Sequence, residues 1–66
     1  MNIGKALRIS LAQKEMNQAD LSRALGFTQQ TISGWIRTNS MPLRTLDTVC
    51  SFFDVAPSEF MALGED

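Results

Sequence analysis

The chain has no histidine, no tyrosine and a single cysteine, Cys50, among its 66 residues. The missing histidine removes the commonest general acid/base and the commonest metal ligand. One cysteine excludes an internal disulfide framework and any cysteine-cluster zinc site. The acidic residues are scattered, with no paired-carboxylate spacing, no metal-ligand spacing and no Gly-rich phosphate loop. The inventory therefore predicts no enzymatic activity, no cofactor, no metal and no small-molecule ligand. No apolar run approaches the ~20 residues that span a bilayer. The opening Met1-Asn2-Ile3-Gly4-Lys5 also lacks the apolar stretch of a signal peptide. A reducing cytoplasm is the expected location, without a membrane partner.

A hydrophobic content of 44% is ordinary for a globular protein. Sixty-six residues hold one domain, 1–66, close to the size at which a single core becomes marginal. The net charge of −1 conceals a gradient. Residues 1–46 carry Lys5, Arg8, Lys14, Arg23, Arg37 and Arg44 against Glu15 and Asp20, a net +4. Residues 47–66 carry Asp47, Asp54, Glu59, Glu65 and Asp66 with no base, a net −5. Such polarity suits a protein that turns one end toward a polyanion. A solvated surface with a chance imbalance gives the same tally.

Hydrophobic spacing predicts five short helices and no strand. Ile3, Leu7 and Leu11, with Ala6 beside them, make one stripe over about Ile3 to Lys14, with Ile9 on the polar side. Asn17 is a good N-cap for a helix over Gln18 to Leu25, whose inner face would be Leu21, Ala24 and Leu25. Gly26 stands where a helix ends in a left-handed residue. Thr28 can cap a third helix, about Gln29 to Arg37. Pro42 allows a fourth to start, over Leu43 to Phe53, with Leu43, Leu46, Val49, Cys50 and Phe53 inward and Val55 extending the core. Pro57 opens a fifth, ending at Leu63, whose apolar members are Phe60, Met61 and Leu63. Gly64-Glu65-Asp66 is expected to fray. Cys50 reads as a small core residue rather than a nucleophile. Phe52 falls off the main stripe, against the base of the fifth helix or in a dimer contact.

The informative segment is Gln18 to Arg37. Two helices of about two turns, joined by three residues including a glycine, form a helix-turn-helix unit. At about 100° per residue, Ile32, Trp35 and Ile36 gather on one side of the third helix. Gln29, Gln30, Ser33, Gly34 and Arg37 gather on the other. An outward face of this kind fits the major groove of double-stranded DNA. A glutamine amide matches adenine N6 and N7, and the N-terminal residues of a recognition helix reach deepest. Ser33 can reach a base or a phosphate, and Gly34 permits close approach. The two glutamines also suit a merely solvated helix face. Gln18, Thr28, Asn39, Ser40 and Arg44 flank the third helix and could hold the DNA backbone, Gln18 at a helix N-terminus that favours an anion.

Asn17-Gln18-Ala19-Asp20-Leu21-Ser22 with Leu25-Gly26-Phe27-Thr28-Gln29-Gln30-Thr31-Ile32-Ser33 resembles the helix-turn-helix of the lambdoid phage repressors and Cro proteins, within the Xre-type regulators. The likeness continues through Leu46, Val49-Cys50 and Phe53-Asp54-Val55. It implies an all-α, lambda-repressor-like domain of five helices that binds a pseudo-palindromic operator as a homodimer. It also implies base reading at Gln29, Gln30 and Ser33, and phosphate contact at Gln18 and the loop after the third helix. Three departures stand out. Leu11 and Ile36 occupy positions where many members bury an arginine–glutamate pair, and an apolar pair there is often neutral or stabilising. Thr38 replaces a common glycine. Asp54 takes a helix end usually given to Gly or Asn.

One such domain buries little surface for tight specificity, so two half-sites one turn apart call for a dimer. The expected seam is Ala56, Pro57, Ser58 and Met61. The resulting expectation is a Cro-like or immunity repressor in a bacterial or phage-infected cell. The alternative is an antitoxin-like interaction module, which Phe60 and Met61 exposed on an acidic fifth helix would favour.

Overall fold

The computed structural model describes residues 2–65. Five helices follow in order: α1 (Ile3–Gln13), α2 (Gln18–Leu25), α3 (Gln29–Thr38), α4 (Leu43–Phe53) and α5 (Pro57–Leu63). No strand occurs among the described residues. Helix α1 stops one residue before the expected Lys14, and α3 runs one residue past Arg37.

Each start is built from local chemistry. Asn2 Oδ1 accepts from Lys5 N at 2.8 Å and caps α1. Asn17 Oδ1 accepts from Asp20 N at 2.8 Å, while Asp20 Oδ2 accepts from Asn17 N at 3.0 Å, a reciprocal capping box on α2. Thr28 Oγ1 accepts from Thr31 N at 3.1 Å and caps α3. At α5, Ala56 offers no side-chain cap, yet Glu59 Oε1 reaches back to Ala56 N at 3.1 Å.

The turns after the first four helices share one device. Glu15, Gly26, Asn39 and Asp54 all carry positive φ, between 54° and 77°. A left-handed residue lets the last carbonyls of a helix find backbone donors as the chain turns away. Thus Met16 N–H donates to Leu11 O at 2.9 Å, Gly26 N–H to Ser22 O at 2.9 Å and Val55 N–H to Cys50 O at 3.0 Å. Gly26 and Asp54 fill the roles their positions suggest. After α3 the left-handed residue is Asn39, one beyond Thr38, which is still helical.

The inward faces meet in one cluster. Ala6, Leu7, Leu21, Ile32, Val49 and Phe60 are fully enclosed, and Ile3, Leu11, Trp35, Ile36, Leu46, Cys50 and Phe53 are nearly so. Burying one large aliphatic or aromatic side chain contributes about 1.5–3 kcal/mol. Leu11 and Ile36 both lie in this cluster, so the apolar pair takes a core position as expected. Helix α1 packs on α3 and α5, α2 on α3, and α4 on α5. Burial pushes the Cys50 thiol up, and the nearby Asp47 adds to it, so the thiol stays neutral. Ser10 is the buried exception. Its Oγ has no hydrogen-bond partner among the described residues.

Three expectations fail here, at Leu43, on the inner face of α2 and at Gly64. Leu43 is 75% exposed instead of inward, so the first residue of α4 stays outside the core. Ala24 is exposed, and Leu25 only half-buried, so Leu21 alone fully buries the inner face of α2. Phe52, off the main stripe as expected, is 38% exposed and meets Phe53 edge-on, with ring centroids 5.2 Å apart. Gly64 does not fray. It is buried against the start of the chain, where a Cβ would lie 2.2 Å from Asn2 O. Glu65 O also accepts from Lys5 Nζ at 3.3 Å. Asp66 lies outside the described residues.

Candidate nucleic-acid interface

The turn between α2 and α3 rests on one backbone conformation and two contacts. Gly26 adopts φ 77°, a conformation that costs an L side chain about 1–2 kcal/mol. Ser22 Oγ donates to Phe27 O, tying the end of α2 to the residue after the glycine. The Phe27 ring meets Trp35 edge to face, with centroids 5.0 Å apart and planes at 75°. That arrangement suits the ring quadrupoles and pins the turn against α3.

With Ile32 0%, Trp35 8% and Ile36 8% exposed, α3 spends one side on the core. Its other side is left to solvent. Gln29, Gln30, Ser33 and Arg37 are exposed, and Gly34 is half-buried. An added Cβ at Gly34 would meet nothing within 4 Å, so the helix is flat there without any packing requirement. The exposed side therefore offers two amides, a hydroxyl, a bare stretch of backbone and a guanidinium in succession.

The flanking candidates sit around this face with their hydrogen bonds partly spoken for. Half-buried Gln18 accepts from Ser33 Oγ at 2.7 Å through Oε1. The Thr28 hydroxyl serves Thr31 N and also lies 2.8 Å from Thr31 Oγ1. Asn39 Oδ1 accepts from Gly4 N at 3.2 Å, which leaves its NH2 as a donor. Ser40 Oγ lies 3.1 Å from Thr38 Oγ1, which donates to Gly34 O at 2.7 Å. Arg44 is exposed in the first turn of α4.

The chain matches the Cro/C1-type HTH DNA-binding domain over residues 6–66. It belongs to that family. No curated protein and no solved structure matches the chain. The Cro/C1-type match covers all of α2 and α3 and so includes the helix-turn-helix described above.

Within this Cro/C1-type domain, the bond from Ser33 to Gln18 was not foreseen, nor was the bond from Gly4 to Asn39. No short-range pattern signals either, because they join residues 15 and 35 positions apart. Of the expected dimer residues, Ala56, Pro57 and Ser58 are exposed and Met61 is half-buried against the core. Among the described residues no helix is long and apolar enough to cross a membrane.

Proposed function

We propose that this Cro/C1-type domain is a sequence-specific regulator of transcription, a Cro-like or immunity repressor that binds a pseudo-palindromic operator as a homodimer in a bacterial or phage-infected cytoplasm. The observation that carries the reading is the outward face of α3, left free because Ile32, Trp35 and Ile36 turn in. Helix α3 enters the major groove of double-stranded DNA. Gln29 and Gln30, in its first turn, read base edges, each bidentate contact worth about 1–3 kcal/mol of discrimination. Arg37 reads farther along the groove, and Gly34 allows the backbone to come close. Gln18, Thr28, Asn39, Ser40 and Arg44 hold phosphates on either side and fix the register. Ala56, Pro57, Ser58 and Met61 form the two-fold seam. No cofactor or small molecule takes part.

The alternative of an antitoxin-like interaction module called for Phe60 and Met61 exposed on α5. Phe60 is fully buried and Met61 half-buried, so that support is absent.

In-vitro selection of bound duplexes from a random pool tests the proposal. The expected product is a palindrome whose half-sites lie about 34 Å apart, or a multiple of that. Affinity should fall with salt at a slope of several phosphates. Gln29→Ala should relax preference at one position of each half-site. Failure to enrich any sequence, together with salt-independent or absent binding, would overturn it.

A further inference from the structure

A single side-chain bond ties the first residue of α2 to the outer face of α3. Ser33 Oγ donates to Gln18 Oε1 at 2.7 Å, between residues 15 positions apart in the chain. Gln18 is half-buried and Ser33 is exposed, so the bond lies at the rim where the two helices converge.

The chemistry of the two groups makes this bond directional. A glutamine amide has an acceptor oxygen on one side and a two-proton donor on the other. Its terminal torsion is broad and roughly two-fold, so an unheld amide presents either side. A phosphate oxygen only accepts, and only the NH2 side of Gln18 can serve it. With Oε1 accepting from Ser33, the NH2 group is the side of the amide left to donate. The serine hydroxyl has one proton, and that proton is spent on Gln18.

The geometry points to Ser33 as a positioning residue that sets the amide of Gln18 for the DNA backbone, instead of reading a base itself. This rests on the DNA-facing reading of α3, and it reassigns one residue of that face. Base discrimination is left to Gln29, Gln30 and Arg37. Because a phosphate contact carries no sequence information, the loss of Ser33 is felt equally on every duplex. Its action also requires Gln18 to be present.

The test starts from the duplex that the wild-type chain selects. Affinities of Ser33→Ala, Ser33→Thr, Gln18→Ala and the double variant Ser33→Ala/Gln18→Ala are measured on that duplex and on its single-base variants. Ser33→Ala should weaken binding about three- to tenfold, the size of one neutral hydrogen bond, with the ranking of the duplexes kept. Ser33→Thr, which restores the hydroxyl, should recover the wild-type affinity. The double variant should bind no more weakly than Gln18→Ala. A Ser33→Ala chain that changes preference at one operator position would make Ser33 a base reader and overturn the assignment. Losses that multiply in the double variant would do the same. A wild-type chain that enriches no duplex defeats the operator reading and the Ser33 role together, whereas multiplied losses on an enriched duplex defeat the Ser33 role alone.

Discussion

Asn39 Oδ1 accepts a hydrogen bond from the backbone N–H of Gly4 at 3.2 Å, so the residue that ends α3 is fastened to the first turn of α1. That N–H is one of the four at the start of a helix that have no intrahelical partner. Asn39 satisfies it from a left-handed conformation, φ 56°, that asparagine tolerates better than most residues. The fit leaves no room at Gly4. A Cβ there would stand 2.6 Å from Ile36 O and 2.8 Å from Asn39 Oδ1. Gly4→Ala is therefore expected to destabilise the fold by about 2–3 kcal/mol, because the backbone of α3 must shift. Asn39→Ala should cost about 1–2 kcal/mol, combining the lost bond and the left-handed strain. Urea titration followed by circular dichroism measures both, and an Asn39→Ala chain as stable as wild type would refute the clasp.

Glu15 is the least suited of the four left-handed residues. Its φ of 54° is imposed by the turn between α1 and α2, where Met16 N–H returns to Leu11 O at 2.9 Å. Glycine at this position relieves the side-chain strain and gives back part of the gain through a freer unfolded chain. Glu15→Gly should raise stability by about 0.5–1 kcal/mol. A thermal melt that moves downward would show that the glutamate makes a compensating contact.

Gly34 separates stability from binding. Glycine inside a helix is less favourable than alanine by about 0.5–1 kcal/mol, and nothing stands within 4 Å of an added Cβ. Gly34→Ala should thus melt at a higher temperature than wild type. If α3 lies in the groove as proposed, the same methyl group weakens operator binding. Improvement in both properties would mean that DNA does not approach this part of the helix.

Two leucines three residues apart on α4 should behave as opposites. Leu46 is 4% exposed and belongs to the core, so Leu46→Ala should cost about 2–5 kcal/mol. Leu43 is 75% exposed, so Leu43→Ala should stay within about 0.5 kcal/mol of wild type. Equal losses, read from denaturant midpoints, would place Leu43 in a buried contact such as a dimer seam.

Much of the architecture could be read along the chain because its signals are local. The spacing of Ile3, Leu7 and Leu11, the caps at Asn17 and Thr28, Gly26, and the prolines at 42 and 57 each act within one or two turns of helix. Those signals locate all five helices to within a residue at each end. The inward turn of Ile32, Trp35 and Ile36 follows from the same periodicity, and with it the exposure of Gln29, Gln30, Ser33 and Arg37. Periodicity misleads at the margins of a face. Leu43 and Ala24 have the right phase, but no neighbouring element covers them. Phe52 lies off the main stripe of α4, and its ring edges Phe53 at the surface.

The sequence by itself determined where each helix begins and ends, which stripe of each is apolar, and that α2 and α3 are joined by a tight turn. Those properties depend on backbone preferences and side chains a few residues apart. Only the tertiary structure decided which polar groups meet across the fold. Ser33 finds Gln18, Gly4 takes the amide oxygen of Asn39, and Gly64 is wedged on the backbone of Asn2. A hydrogen bond is made or lost over a few tenths of an ångström, and no spacing of letters fixes the distance between helices to that tolerance.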